Sequence, residues 1–217
     1  MIAVVEYAAA PNVSGADFVI DHDPPDYVEE NAVRNVVLYM QSTLNGMAVG
    51  PDEEMDWLTV NDQTWELVGG LQERCGTALV GRVTYEEFVG FWPAAADGPG
   101  NPPGMVSHAR WLADTEKVVV SRTLDKVEWQ NSRLLGDDFA GEIARMKKET
   151  GKDMLLLGGV GLVRSMSEHD LIDEYWLLVN PATISSGRSA LASRRNMRLL
   201  EAKPFESGVV ALHYARS

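Results

Sequence analysis

From residue 35 onward, short apolar runs alternate with segments whose apolar residues have helical spacing. The apolar runs predict buried strands over residues 35–41, 77–81, 117–121, 154–158 and 173–180. The helical spacing predicts helices over residues 62–74, 84–92, 138–150 and 160–169. Residues 197–216 predict two further strands around a turn at residues 206–208.

The order of these elements predicts the fold class. Strands and helices alternate to about residue 170, and strands dominate afterwards. We therefore expect an α/β fold with a mostly parallel central sheet, helices on both faces and an antiparallel C-terminal edge. Residues 42–60 and the Pro- and Gly-rich residues 93–105 are expected to be surface loops. We see no internal repeat or linker, so we expect one domain over residues 34–217.

Residues 1–33 have a different composition from this domain. They hold seven acidic residues, the pair Pro24-Pro25 and no Lys or Arg. We interpret them as an acidic N-terminal arm, in which residues 2–7 are a candidate strand. The composition leaves two alternatives open: a disordered or loosely docked tail, or an arm that packs on a partner subunit through Phe18, Val19, Ile20 and Tyr27.

Charge and composition exclude several classes of function. A formal net charge of -13 makes nucleic acid and anionic membranes unfavourable partners. No apolar run reaches the roughly 18 residues of a membrane helix, and the N-terminus lacks the basic region of a secretory signal. A single cysteine, Cys75, excludes an internal disulfide and predicts a reducing, cytoplasmic location. The four histidines lack metal-ligand spacing, so we expect no metal site.

The sequence 154-MLLLGGVG-161 places three glycines where a buried strand meets a helix. Free backbone N–H groups and a helix N-terminus at such a point suit a phosphate. The dinucleotide spacing G-x-G-x-x-G is absent, because its third glycine falls on Arg164. A tight turn without a ligand therefore stays open as the alternative.

Two other strands end in similar groups. Arg82 and Thr84 follow one strand, and Thr84 with Glu87 has the spacing of a capping box at a helix start. Ser121 and Arg122 follow the next strand. Because the carboxyl ends of parallel strands meet at one edge of a sheet, the three turns together predict a site for an extended anionic cofactor.

Collinear stretches of this chain resemble the dihydrofolate reductase-like superfamily. The resemblance is closest to stand-alone relatives of the reductase domain of the riboflavin-pathway bifunctional deaminase-reductase. The matching stretches are residues 36–50, 79–88, 91–93, 118–124, 129–135, 154–166 and 172–191. They imply the three-layer dihydrofolate reductase-like fold and an NADPH-dependent reductase, usually a homodimer, that acts on a small-molecule substrate.

The resemblance also implies which residues contact the cofactor, and it implies a cis peptide between Gly158 and Gly159. Arg82 would lie near the 2′-phosphate of NADPH, for which a charged partner is favourable. The cofactor-binding residues it implies are Met47, Ala48, Gly81, Arg82, Val83, Thr84, Ser121, Arg122, Gly158, Gly159, Val160 and Gly161.

The substrate side departs from the family pattern. Where the family often has Ser-Leu-Asp-Gly, this chain has 43-TLNG-46, so Asn45 replaces the acid. Asn45, Asp56 and Asp62 are the candidate catalytic residues, although the two acids also fit a loop residue and a helix N-cap. Candidate substrate-binding residues are Trp57 and Trp65, for a flat substrate, and Arg188, for a phosphate. Two alternatives to these roles stay open. The tryptophans would then pack in the core, and Arg188 would be solvated or bind the acidic arm.

Three functions remain as hypotheses. The first is an NADPH-dependent reductase of a small heterocyclic, imine or carbonyl substrate. The second is a non-catalytic ligand-binding or regulatory protein on the same fold. The third is a reductase of the riboflavin precursor 5-amino-6-ribosylaminouracil phosphate, for which Arg188 would bind the phosphate.

Overall fold

The structure, a computed structural model, describes residues 33–191 and 193–217. Its strands are β1 (Val36–Thr43), β2 (Cys75–Gly81), β3 (Glu116–Val120), β4 (Ser132–Leu135), β5 (Asp153–Leu156), β6 (Glu174–Asn180), β7 (Met197–Pro204) and β8 (Val210–Arg216). Its helices are α1 (Asp62–Arg74), α2 (Arg82–Ala95), α3 (Pro103–Asp114), α4 (Phe139–Met146) and α5 (Val160–Glu168).

All strands form one eight-stranded sheet in the order β4-β3-β2-β5-β1-β6-β8-β7. Strands β1 to β6 pair in parallel, whereas β8 is antiparallel to both β6 and β7. This confirms the predicted mostly parallel sheet with an antiparallel C-terminal edge.

The period of two in β1 explains the layers. Val36, Leu38 and Met40 point into a core shared with α4 and α5. Val37 points the other way, into a core shared with α1, α2 and α3. The sheet is therefore covered on both faces, which gives the expected three-layer α/β fold.

Several predicted boundaries are corrected. Helix α2 continues through Pro93 to Ala95, and α3 begins at Pro103, so both ends of the predicted loop 93–105 are helical. Proline fits the first position of a helix, because the N–H that it lacks has no partner there. The short edge strand β4 was not predicted, since its four residues are only partly apolar and mostly half-buried.

Two predicted helix caps are also corrected. Helix α1 is capped by Asn61, whose side chain accepts from the backbone N–H of Thr64 at 3.0 Å, so Asp62 is its first residue rather than its cap. Helix α2 follows Gly81, which places Thr84 inside the first turn. The two helices therefore each begin earlier than the capping pattern indicated.

The predicted arm, residues 1–33, lies outside the described residues except for Val33, and it stays a prediction. Within the described ranges, no helix has both the length and the apolar character needed to cross a membrane.

Candidate active site

A cavity of about 1160 Å³ opens at the carboxyl ends of the central strands. Most of its lining falls into three parts, and the remaining lining residues are Met40, Glu87, Pro102, Ser165, Glu168 and His169. The glycine side consists of residues 81–84, 120–122, 136–137, 139 and 157–163. The aromatic side consists of Tyr39, Gln41, Met55, Leu58, Val60, Thr64, Trp65, Val68, Phe88, Trp92, Met105 and His108. The mouth consists of Ala48, Val49, Glu53, Arg188 and Ala190.

Two helices begin on the glycine side without a side-chain cap. Helix α5 follows Gly159 and helix α2 follows Gly81, and neither glycine offers a side chain to the first turn. The first N–H groups of a helix have no partner within the helix. Two such N-termini on one cavity wall therefore offer donors and favourable dipoles to an anion.

The glycines between β5 and α5 have separate roles. Gly158 and Gly159 have φ angles of 76° and 82°, a region that favours glycine. A Cβ on Gly159 would also lie 3.0 Å from Thr84 Oγ1, so this position lets the two helix starts approach each other. A Cβ on Gly158 or Gly161 would meet no protein atom within 4 Å. The space beside these two residues is therefore open to a ligand.

The peptide between Gly158 and Gly159 is trans, which corrects the implied cis peptide. Consecutive positive φ angles at the two glycines turn the chain from β5 into α5 instead.

Two arginines line the glycine side. Arg82 is half-exposed and pairs with Glu86 at 2.8 Å along α2, an exposed pair that contributes little and leaves the guanidinium accessible. Arg122 is exposed in the turn after β3. The Ser121 hydroxyl accepts from the backbone N–H groups of Thr123 and Leu124, both at 3.1 Å, and so holds that turn. Sequence reasoning predicted these positions because they follow strands directly.

The aromatic side is built from rings of three helices. Trp65 of α1 and Trp92 of α2 lie 5.9 Å and 4.5 Å from the His108 ring of α3, measured between centroids. Burial lowers the pKa of His108 to about 4, so the imidazole is neutral near pH 7. Gln72 bonds one ring nitrogen. Sequence reasoning missed His108 because α3 itself was not predicted, and it gave Trp92, the last residue of a predicted helix, no role in the site.

The mouth is held by backbone pairing between the first loop and residues 187–188. The Arg188 N–H donates to the Val49 carbonyl at 2.9 Å, and the Ala48 N–H donates to the Arg188 carbonyl at 2.8 Å. A Cβ on Gly187 would lie 2.3 Å from the Val49 carbonyl oxygen, so only glycine permits this approach. The Arg188 guanidinium, predicted as a phosphate ligand, forms an ion pair with Glu53.

Four of the six candidate catalytic and substrate residues, Asp56, Asp62, Trp57 and Asn45, lie outside the cavity lining. Asp56 and Asp62 are exposed, in the first loop and at the start of α1. Trp57 does not line the cavity, although its loop neighbours Met55 and Leu58 do, and its indole nitrogen is buried without a partner in the described residues. Trp65 is the tryptophan candidate that lines the cavity.

Asn45 and Met47 also lie outside the lining, because both close the turn after β1. The Asn45 amide donates to the Ile184 carbonyl at 2.8 Å and its carbonyl accepts from the Thr43 hydroxyl at 2.8 Å. The Met47 N–H donates to the same hydroxyl at 2.9 Å. Of the two cofactor residues predicted in this loop, Ala48 lines the cavity. No group of three or more His, Cys, Asp or Glu side chains arranged for a metal occurs in residues 33–191 or 193–217.

Comparisons with known proteins agree with this architecture. The model of the RibD C-terminal domain family matches residues 34–211. The uncharacterized protein YyaP of Bacillus subtilis (strain 168) is 27% identical over 184 residues, which cover 83% of this chain and 94% of YyaP. YwjB, an uncharacterized protein of the same organism, is 26% identical over 188 residues, covering 85% of this chain and 99% of YwjB.

Among solved structures, a putative riboflavin biosynthesis protein from Shewanella sp. PV-4 has a TM-score of 0.65 and 18% identity. The match covers 85% of this chain and 99% of that protein. A pyrimidine reductase-like protein from Corynebacterium diphtheriae has a TM-score of 0.57 and 12% identity, covering 86% of this chain and 93% of that protein. These likenesses show a shared fold. Because the family model spans nearly all of the described domain, this chain belongs to the RibD C-terminal domain family, within the dihydrofolate reductase-like superfamily that its sequence resembles.

Proposed function

We propose that this protein is an NADPH-dependent reductase of a small heterocyclic, imine or carbonyl substrate. The observation that carries the proposal is that one cavity has a glycine side suited to an anion and an aromatic side suited to a flat organic molecule. The glycine side offers two uncapped helix N-termini and two arginines to an extended anion. The aromatic side offers rings to a flat organic molecule. Family membership supports the same function.

The glycine side fits the anionic parts of NADPH. The first N–H groups of α2 and α5 would hold its pyrophosphate, beside the open space at Gly158 and Gly161. Arg82 and Arg122, which line the same side of the cavity, would pair with its 2′-phosphate. NADPH, when bound, supplies the hydride. The aromatic side would exclude water and orient the substrate, and the backbone at Ala48, which lines the mouth, would cover the nicotinamide ring.

An assay of NADPH oxidation with a panel of pterins, flavin precursors, cyclic imines and ring carbonyls tests this function. Arg82→Ala and Arg122→Ala should each raise the KM for NADPH about tenfold, as expected for loss of one charge-assisted contact. They should leave the KM for NADH nearly unchanged, since NADH lacks the 2′-phosphate. Equal losses for both cofactors would refute the assigned role of the arginines.

The alternatives predict other results. Reduction of the phosphorylated riboflavin precursor is favoured by the family match. It requires Arg188 to leave Glu53, and Arg188→Ala should then weaken the precursor's binding. A non-catalytic binding protein would bind the cofactor but oxidise none of it with any member of the panel.

We also propose a homodimer. Strand β7 is the outer strand of the sheet and is exposed on both faces, with Leu199 48% and Leu200 39% exposed among the described residues. The two adjacent leucines are an exposed apolar patch on a strand that also carries charged side chains, and a second copy would cover that patch. Light scattering should give twice the chain mass for the wild type and the single mass for Leu199→Lys. A monomeric wild type would contradict the proposal.

A further inference from the structure

We propose that the aromatic side takes an uncharged ring compound bearing a carbonyl or imine acceptor, and that the Tyr39 hydroxyl is the donor that holds this acceptor. The inference rests on the proposed function and narrows its substrate class. It depends on the charges around the cavity and on the direction of a hydrogen-bond chain beneath it.

The charges disfavour an anionic substrate. The Lys and Arg side chains that line the cavity are Arg82 and Arg122, on the glycine side, and Arg188, at the mouth, within the described residues. Arg188 pairs with Glu53, and this exposed pair offsets part of its charge while leaving the guanidinium accessible. Residues 1–32 and 192 contain no Lys or Arg, so the remainder of the chain adds none. A phosphate on the substrate would compete with the Glu53 carboxylate for Arg188, whereas an uncharged ligand would not.

The hydrogen-bond chain starts at a group that can only donate. The Thr59 backbone N–H donates to Asn180 Oδ1 at 2.9 Å, which fixes the orientation of the Asn180 amide. Asn180 is fully buried, and its Nδ2 donates to Gln41 Oε1 at 3.1 Å. Gln41 Nε2 therefore faces Tyr39 and donates to its Oη at 3.1 Å.

This direction determines what Tyr39 can do. Its oxygen accepts from Gln41, so its own proton is free to be donated elsewhere. No acceptor for that proton occurs in the described residues, and Tyr39 lines the cavity. Burial raises the pKa of Tyr39 above its usual value, and this effect is larger than the lowering by the Gln41 hydrogen bond. The phenol therefore stays protonated. A hydroxyl proton at the cavity wall with no protein acceptor favours a ligand that supplies one.

The neighbouring surfaces fit a ring that carries such an acceptor. Val68, Trp65 and Phe88 are largely apolar, and the hydroxyl of Thr64 is occupied by Asn61 at 3.0 Å. Rings that stack on such walls gain dispersion and hydrophobic stabilisation. Tyr39 and Gln41 lie on the same face of β1 and form the polar part of the floor.

Acetophenone with a ¹³C-labelled carbonyl is a suitable probe, because it is uncharged, flat and carries one acceptor. Infrared difference spectra of the bound ketone should show a higher carbonyl frequency in Tyr39→Phe than in the wild type, shifted toward its value in hexane. The affinity should fall about fivefold, as expected for loss of one hydrogen bond. Tyr175→Phe removes a buried hydroxyl outside the cavity and is the matched control, with no frequency shift expected.

Ribose 5-phosphate tests the charge argument by competition with acetophenone. It should not displace the ketone from the wild type, and it should compete more strongly in Glu53→Gln, which frees Arg188. The proposal is overturned if the wild type does not bind acetophenone, if Tyr39→Phe leaves the carbonyl frequency unchanged, or if ribose 5-phosphate displaces the ketone from the wild type. NADPH affinity, measured separately on the same variants, reports failure of the proposed function independently.

Discussion

Replacing Gly161 by alanine distinguishes a glycine kept for a ligand from a glycine kept for a turn. Gly161 is an exposed residue in the first turn of α5, and an added Cβ would meet no protein atom within 4 Å. Alanine in a helix is favoured over glycine by about 0.5–1 kcal/mol, so the free energy of unfolding should stay equal or rise. The new methyl would occupy space beside the helix N-terminus. NADPH affinity should fall at least about tenfold, or about 1.4 kcal/mol.

Gly159→Ala is the matched comparison. Its φ of 82° is unfavourable for alanine, which costs about 1–3 kcal/mol, and its Cβ would lie 3.0 Å from Thr84 Oγ1. This variant should lose about 2 kcal/mol of stability as well as cofactor affinity. Urea unfolding and calorimetric titration with NADPH measure the two quantities. If Gly161→Ala binds NADPH as tightly as the wild type does, the glycines serve only the turn and the phosphate argument fails.

Two further predictions concern stability. The folded pKa of His108 is about 4 against about 6.5 in the unfolded chain, so the unfolded state binds more protons between these values. Stability should therefore fall by about 3 kcal/mol as the pH drops from 7 to 4. Urea unfolding at a series of pH values should show a smaller fall in the free energy of unfolding between pH 7 and pH 4 for His108→Gln than for the wild type. An equal fall in both proteins would contradict this prediction. Arg74→Met leaves the carboxylates of Asp153 and Glu174 without their arginine, which bonds them at 2.6 Å. It should lower the free energy of unfolding by about 2 kcal/mol, less than for a fully buried pair because Arg74 is 38% exposed. An unchanged urea midpoint would refute this second expectation.

The fold was predictable because its signals are local. Each strand of the parallel core is a short apolar run, and the turn after it carries its own Gly, Ser or Arg residues. The glycine side could therefore be assembled from three separate stretches of sequence. Helix α3 was missed because its N-terminus begins within a Pro- and Gly-rich stretch that favours a loop.

The aromatic side was harder to predict because its parts are distant in sequence. Tyr39 lies within an apolar strand and looks like a core residue until the side chains of Gln41 and Asn180 are placed beside it. Gln41 and Asn180 are 139 positions apart. Glu53 lies in an acidic loop whose pairing with Arg188 depends on the close approach at Gly187. Pairing of this kind is set by the tertiary fold and leaves no periodic signal in the sequence.

The central claim is that the glycine side binds NADPH, and calorimetric titration of the full chain with NADPH and, in parallel, with NADH tests it most directly. The account predicts one NADPH per chain, bound at least about tenfold more tightly than NADH because of the two arginines at the 2′-phosphate. Absence of heat from the NADPH titration, with the protein shown to be folded, or equal affinity for NADPH and NADH, would contradict the account.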